Sequence, residues 1–524
     1  MLKYSNIRNI LLIIFYNSHI KSSNSLEIIM LKITNSTQEA KQLSREYLEG
    51  KLRRIYHGIY TDNLTSDLNN IVSLNWMQII PHIVSKGILA FRTAVELKPR
   101  RFGNETVVFI ISSYVKTIRL PGLTIKIYKG DTNQFTEQTL PNLFRSNIPR
   151  TLLENLSVVK GEYIGIKTIG TAGVETYLAK ELRNRGEEQI NRIRDAAKEI
   201  AATLGYHKEY CKLNEIISAL LSTHPSDNIL SSNYAKAVSQ KKPYDEYRIH
   251  LFDELVLYLN QCSFLSREYD YNSSSFRNLS FYESYFSNFI EGTEFLIDEA
   301  EEIVFKGIEI NNRHADSHDV LSLYQITDDY SEMCITPKNP DELIELLQRR
   351  HAILMKERPE KRPGEFKIKD NKAGNTSFVA HEDVLGTLSH GFERYKLLKP
   401  GLAKALFMQF LISEVHPFDD GNGRLSRIMM NAELVPQSQF KIIMPNVQRD
   451  NYLNGLRLAS RDKTFRTYIK VMDQAQAYTA SVNWFDYGEA REKLEKDDTN
   501  LSPDEGIPTF NRVLKALRLS NIPI

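Results

Sequence analysis

The chemistry this chain can be read to perform is concentrated in one run, His416-Pro417-Phe418-Asp419-Asp420-Gly421-Asn422-Gly423-Arg424-Leu425-Ser426-Arg427. His416 is the one side chain in it whose ordinary pKa suits proton abstraction near neutral pH. Asp420 offers a hard carboxylate oxygen, the donor that Mg²⁺ takes when it also holds phosphates. Gly421 and Gly423 have no Cβ, so the backbone can turn sharply and approach a ligand closely. Arg424 and Arg427 stand three apart, so on a helix they share a face and can grip neighbouring phosphate oxygens. Together these types at this spacing describe a hydroxyl, activated by His416, attacking a phosphate of a metal-bound nucleotide. Taken singly the pieces are plainer: a His beside Pro and Asp makes a turn, and Gly-Asn-Gly makes a loop. Their occurrence as one unbroken string favours the chemical reading.

Two helices must position that string. The apolar run Leu402 to Val415 predicts a helix of about three to four turns at roughly 3.6 residues each. Leu425, Ile428, Met429 and Leu434 restart a helical pattern behind it. The string is therefore a tight loop, and the second helix presents its unpaired N–H groups toward it. Such a helix start is an anion site, because the N–H groups and the helix dipole both favour phosphate.

The string resembles the signature of the Fic family, H-x-F-x-(D/E)-G-N-G-R-x-x-R, and matches it at every specified position. The resemblance implies transfer of AMP from ATP to a hydroxyl side chain of a target protein, with Ser, Thr and Tyr as the candidate acceptors. It further implies His416 as the base that deprotonates that hydroxyl and Phe418 as the buried anchor of the loop. Asp420 would hold Mg²⁺ on the phosphates. Gly421, Asn422 and Gly423 would form the anion hole, and Arg424 and Arg427 would orient the outer phosphates. Relatives that transfer phosphate carry Lys at the second loop glycine; Gly423 here points to nucleotidyl transfer. Another phosphoester donor stays open, since amides and arginines address phosphates and nothing in the loop reads a base.

Two further segments resemble parts of the same family. Ser287-Asn288-Phe289-Ile290-Glu291-Gly292 matches the inhibitory motif (S/T)-x-x-x-E-(G/N), placed on a helix near 280–296. By that resemblance Ser287, Glu291 and Gly292 form the inhibitory element. Glu291 pairs with Arg427 and takes the place of the ATP γ-phosphate, within one chain or across a homodimer. It would also serve as a base for the reverse reaction, removal of AMP. Pro363 to Asn375 reads as a hairpin-like loop resembling the flap, which seats a target segment as an added strand. Relatives carry Arg where Lys367 stands and a branched apolar residue where Lys372 or Ala373 stands. Asn451 to Arg457 resembles the segment packed near the adenine, although a Tyr/Leu stripe at helical spacing is also simply core.

The rest of the chain bounds this reading. A length of 524 residues fits two to four domains at roughly 100–200 residues each. The net charge of +2 gives no general drive toward nucleic acid or an anionic membrane. Cys211, Cys262 and Cys334 are far apart and odd in number, which suggests reduced thiols in the cytoplasm with neither zinc spacing nor a disulfide framework, export as an effector being left open. Lys3 and Arg8 ahead of Ile10 to Tyr16 faintly echo a signal peptide. That run is shorter than the roughly 20 apolar residues a bilayer needs, and no small-residue cleavage site follows. Residues 1–30 are therefore read as a disordered or mis-assigned extension, and no membrane partner is expected.

The expected architecture is multi-domain: an α/β N-terminal domain over residues 31–222, a linker over 223–243, an all-α Fic bundle with a short β-hairpin flap over 244–490, and a tail over 491–524. In the first domain Ala40 to Leu48 and Gly50 to Tyr60 suggest a helix, a turn and a strand, as in a winged helix-turn-helix. Strands are expected at Ile88 to Leu97, Thr106 to Ser113 and Pro121 to Tyr128, with helices at Ser146 to Leu156 and Gln189 to Leu204. The stretches Leu52 to Tyr60, Phe91 to Leu97 and Pro149 to Glu154 resemble the abortive-infection type IV antitoxin family of regulators. That resemblance implies DNA as a partner through Arg53 and Arg54; the alternatives are a solvated basic face or a domain that presents protein targets. A DNA-binding regulator that uses its Fic half as a switch or toxin is thus the rival reading of the whole chain.

Overall fold

The computed structural model describes residues 31–34, 36–221 and 229–523. It divides into two compact units, the first ending at Ala235 and the second beginning at Lys236. The extension read over residues 1–30 and residues 223–228 of the expected linker lie outside the described residues.

The first unit opens with β1 (Leu31–Ile33), α1 (Thr37–Leu48), β2 (Arg53–Tyr56) and β3 (Ile59–Thr61), the strands forming an antiparallel sheet in the order β1-β3-β2. Ser36 starts α1 by accepting the Glu39 N–H on its hydroxyl. Among the described residues one helix, not a helix-turn-helix pair, stands between β1 and the β2–β3 hairpin. Arg53, expected on a basic wing, donates to the carbonyl of Ser66 at 2.6 Å and so holds the loop that follows the hairpin. Arg54 is exposed.

After α2 (Leu68–Ile83) come β4 (Ile88–Leu89), α3 (Phe91–Glu96), β5 (Arg100–Phe102), β6 (Glu105–Ser112), β7 (Lys116–Leu120), β8 (Leu123–Lys129), β9 (Thr136–Leu140) and β10 (Leu143–Ser146). They form a mixed sheet in the order β7-β8-β6-β4-β10-β9, with β5 on β6. One face of that sheet buries Val108, Ile110, Ile125 and Ile127 against Trp76, Ile79 and Ile80 of α2. Helices α4 (Ile148–Leu156), α5 (Gly170–Leu204) and α6 (His207–Leu220) follow. The strand expected over Ile88 to Leu97 stops at Leu89. Phe91 takes φ 53°, its N–H held at 3.0 Å by the buried Glu154 carboxylate, and the chain turns into α3. A short apolar run does not by its period distinguish strand from helix, and here the tertiary partner decides. The linker expected over 223–243 also holds structure: α7 (Asn233–Ser239), whose Tyr234 and Ala235 are buried.

The second unit is helical. Its elements are α8 (Glu246–Gln261), α9 (Ser273–Ile290), α10 (Ile297–Lys306), α11 (His314–Asp328), α12 (Tyr330–Met333), α13 (Pro340–Leu354), the hairpin β11 (Lys372–Ala373) and β12 (Thr376–Ser377), α14 (Val384–Tyr395), α15 (Leu402–Val415), α16 (Asn422–Leu434), α17 (Arg449–Asp462), α18 (Arg466–Thr479), α19 (Tyr487–Lys496) and α20 (Pro503–Lys515). Helix α15 is mostly apolar and buried around its circumference, with Leu406, Phe407, Phe410 and Leu411 fully buried and its buried Gln409 and Glu414 paired with Tyr452 and Arg248. Helix α16 packs along it. A buried polar cluster fastens α9 beside α16: the Lys441 ammonium pairs with Glu283 at 2.9 Å and donates to the Thr327 carbonyl, while Asn431 of α16 donates to Glu283 at 2.8 Å. Among the described residues no helix is long and apolar enough to cross a membrane.

Two expectations need correction here. The hairpin pairs Lys372–Ala373 with Thr376–Ser377, so it begins later than Pro363 and the residues before it are free to lie elsewhere. The segment from Arg491 onward, expected as a charged tail ending in a short helix-like piece at Thr509 to Leu519, has that helix at Pro503–Lys515, and its Phe510 and Leu514 belong to the same core as Val447, Tyr478 and Trp484. An apolar residue every four positions among charges reads as weak amphipathy until the surface it covers is known. Phe510→Ala is expected to destabilise the second unit by about 3–5 kcal/mol in urea unfolding; a loss under about 1 kcal/mol, the range of surface substitutions, would mark α20 as peripheral.

Candidate active site

Helix α15 ends where Pro417 forbids its continuation. His416 caps it at φ 50°, ψ 59°, the left-handed region that residues with a Cβ seldom adopt, and donates its N–H to Ile412 at 2.9 Å. Its Nδ1 lies 3.3 Å from the Ser413 carbonyl. A carbonyl only accepts, so Nδ1 is assigned the proton and Nε2 keeps its lone pair. Phe378, directly after β12, stacks on the imidazole at 3.7 Å between centroids with the rings 4° from parallel. Burial pushes the imidazole down to about 4, the neighbouring Lys367 ammonium helps, and Glu291 and Asp420 oppose. His416 is therefore neutral at physiological pH and able to accept a proton.

The loop after it is held by aromatic and amide contacts. Phe418 is fully buried and stacked flat on His351 of α13, 3.8 Å between centroids at 8°. His351 accepts the Gly364 N–H on Nδ1 at 2.9 Å and has Nε2 3.1 Å from the Asp420 carbonyl, to which it donates. Burial holds this imidazole down at about 4 as well, which keeps the neutral form that this pair of contacts requires. The Asn422 side chain brackets Phe418: its Oδ1 accepts the Phe418 N–H and its Nδ2 donates to the Phe418 carbonyl, both at 2.9 Å. A side chain that spans one residue's two backbone groups fixes the shape of the loop.

Gly421, at φ 72°, opens α16, and no side chain caps that helix start. What lies against it is Glu291, the residue that caps the C-terminus of α9: a Cβ built on Gly423 would run into the Glu291 carboxylate. That carboxylate accepts from Arg427 at 2.6 Å. The Arg427 guanidinium is buried and also donates to the hydroxyl and the carbonyl of Ser287, each at 2.9 Å. Gly292 turns the chain away at φ 91°. Arg449 of α17 donates to the Ile290 carbonyl at 3.0 Å and ties down the same helix end.

The two arginines share the α16 face toward α9, as their spacing predicts, but they are used differently. Arg424 is buried in an ion pair with Asp319 of α11 at 2.6 Å, and Asp319 also receives Arg358. Among the described residues Arg424 Nε has no hydrogen-bond partner, whereas the Arg427 guanidinium lies against the Glu291 carboxylate beside the start of α16. Asp420 accepts the Gly421 N–H on Oδ1 at 2.7 Å, and its Oδ2 lies 3.7 Å from Lys361. Its carboxylate is 45% exposed, so an oxygen remains open toward the loop. One carboxylate completed by phosphate oxygens and water is the usual arrangement for Mg²⁺, and Asp420 fits it. Among the described residues no group of three or more His, Cys, Asp or Glu side chains could hold a metal unaided.

Tyr452, expected near an adenine, is buried and accepts a bond from Gln409 at 2.6 Å, so it is core beside Arg427. The string hid His351 and Phe378. A His on an apolar helix face and a Phe after a polar hairpin carry no local sign of what they stack on.

Residues 342–434 match the model of the Fic/DOC family. The chain is 25% identical over 249 residues to the protein adenylyltransferase Fic of Drosophila mojavensis, covering 46% of this chain and 48% of that protein. To the protein adenylyltransferase Fic of Drosophila melanogaster it is 24% identical, covering 46% and 49%. The chain thus spans about half the length of the curated relatives it matches. Among solved structures, Fic-1 of C. elegans (residues 134–508) aligns with a TM-score of 0.35 at 15% identity, covering 62% of this chain and 98% of that one. A Fic domain-containing signalling protein of Bacteroides thetaiotaomicron aligns with a TM-score of 0.33 at 16% identity, covering 51% and 96%.

The neutral His416 leads to a direct test. Pyrocarbonate attacks the unprotonated imidazole, so a lowered pKa preserves reactivity in acid. Modification at His416, followed by peptide mass spectrometry, is expected to fall with a midpoint near 4; a midpoint near the ordinary 6.5 would show the ring to be solvated.

Proposed function

We propose that this chain, through the Fic domain at residues 342–434, is a nucleotidyltransferase that moves AMP from ATP onto a hydroxyl side chain of another protein. The observation that carries the reading is a neutral His416 with a free Nε2 lone pair, set one short loop away from an uncapped helix start against which an anion, the Glu291 carboxylate, lies in the grip of Arg427. The kinship with proteins named protein adenylyltransferase supports the choice of AMP as the group transferred.

In this account the target hydroxyl gives its proton to His416 Nε2 as its oxygen bonds the α-phosphorus. The bond from that phosphorus to the bridging oxygen of the β-phosphate breaks, and pyrophosphate leaves. The N–H groups at the start of α16 and the Arg427 guanidinium receive the phosphate charge. Mg²⁺, held by Asp420, would neutralise the outgoing phosphates. Phe418, Asn422, Gly421 and Gly423 act by shaping the loop. Ser, Thr or Tyr hydroxyls all suit the base, and a protein partner follows from the reaction.

The resting chain is autoinhibited in this reading. Arg427 has its strongest donor in use on Glu291, and a γ-phosphate would bring negative charge against that carboxylate. Ser287 orients the guanidinium and Gly292 lets the helix end there, so the three residues act together as the inhibitory element.

The test compares wild type, Glu291→Gly and His416→Ala, each given Mg²⁺ and ATP labelled on the α- or the γ-phosphate. Label from the α-position alone should enter protein, rise about 10-fold or more in Glu291→Gly, and vanish in His416→Ala, since loss of a general base typically costs about 10²–10⁴-fold. Label from the γ-position would make the chain a phosphotransferase and overturn the donor assignment. No label in any variant would overturn the transferase reading.

A further inference from the structure

The last carbonyls of a helix have no partners within it. Beyond the end of α15 this need is met in an unusual way, because four consecutive carbonyls receive donors from one short segment ahead of the hairpin. The Lys367 ammonium donates to Val415 at 3.3 Å and the Lys367 N–H donates to Pro417 at 2.9 Å. The Asn371 amide donates to His416 at 3.3 Å and to Phe418 at 3.0 Å. Lys367 also donates to Asn371 Oδ1 at 2.7 Å. An ammonium has no acceptor capacity, so the amide oxygen must face Lys367 and the NH₂ must face the two carbonyls.

The Lys367 side chain is 3% exposed. Its hydrogen-bond partners are neutral oxygens, which compensate poorly for taking an ammonium out of water. Such an arrangement contributes little to stability and much to geometry. It lies where geometry matters, around a histidine kept in a left-handed conformation that its own side chain disfavours.

The geometry points to Asn371 as the positioning residue for the catalytic loop, with Lys367 fixing the direction of its amide: together they hold the Val415–Phe418 backbone and through it aim the His416 ring. The kinetic consequence rests on the AMP-transfer reading, while the conformational consequence stands without it. Lys367 then has a role distinct from clamping a target, since its donors point inward to the loop.

The test uses the full chain carrying Glu291→Gly, with Asn371→Ala and Asn371→Asp added separately. Asn371→Asp keeps the size and the Lys367 contact but turns a donor into an acceptor facing two carbonyls. Both variants are expected to lose about 10–100-fold in the turnover number for AMP transfer while ATP affinity by calorimetry stays within about twofold, the signature of misaimed reacting groups. Both should also change the pyrocarbonate reactivity of His416 by about fivefold or more, because local release of a pinned side chain gives it access to solvent. Unchanged His416 reactivity in two folded variants overturns the proposal, as does a loss of turnover matched by an equal loss of ATP affinity. If the Glu291→Gly parent transfers no AMP, the function reading has failed separately, and His416 reactivity alone decides the positioning role. Should one variant lose its thermal transition, the other supplies the result.

Discussion

A guanidinium taken out of water has to be paired, and the way Arg427 is paired governs the rest of the site. It reaches Ser287 twice and Glu291 once, all from the last turn of α9, so one charged group welds the start of α16 to the end of another helix. That weld sets where Glu291 lies, over Gly423 at the uncapped helix start. It also requires α9 to run close beside α16, which the buried Lys441–Glu283–Asn431 cluster secures from further along the same pair of helices. The start of α16 and the end of α9 are thereby made to share a single cation.

The second constraint is the left-handed turn at His416. A helix that ends on a residue with a Cβ in that region needs outside support, and the support comes from three directions. Pro417 blocks the helix, His351 and Asn422 grip Phe418 and Asp420, and the segment before the hairpin feeds donors to the carbonyls between them. The stacked pairs His351–Phe418 and Phe378–His416 place one imidazole under the loop and one aromatic ring over its catalytic face. Both histidines are kept neutral by burial, but for different ends. His416 keeps a lone pair on Nε2, and His351 donates one hydrogen bond while accepting another.

Much of this site is legible in the sequence because its parts are local. The helix over Leu402–Val415, the loop and the helix that begins at Asn422 follow from an apolar run, two glycines and a restarted period. The pairing of Glu291 with Arg427 was expected from a motif far upstream and agrees with the distance observed. What stayed hidden depends on partners remote in the chain. Arg424 and Arg427 look alike in sequence, and their different partners, Asp319 of α11 for one and Ser287 with Glu291 for the other, show only in the fold. That the Asn422 side chain spans the two backbone groups of Phe418 is likewise visible only in the fold. His351, Asn371 and Phe378 have no pattern of their own. In the first unit the strand expected over Ile88 to Leu97 breaks off because Glu154, more than fifty residues later, turns Phe91 out of it. In the second, Phe510 could be placed in the core only once Tyr478 was found against it.

The central claim is that Glu291 denies Arg427 to the outermost phosphate of a nucleotide. The most direct measurement is calorimetric titration of ATP and of ADP, each with Mg²⁺, into His416→Ala and into His416→Ala/Glu291→Gly, where no turnover disturbs binding. Freeing the guanidinium for a charge-assisted contact should raise the preference for ATP over ADP by about tenfold or more, roughly 1.4 kcal/mol, with ADP affinity little changed. Equal gains for both nucleotides, or none for either, would mean that Glu291 does not compete for the γ-phosphate position and would contradict the account.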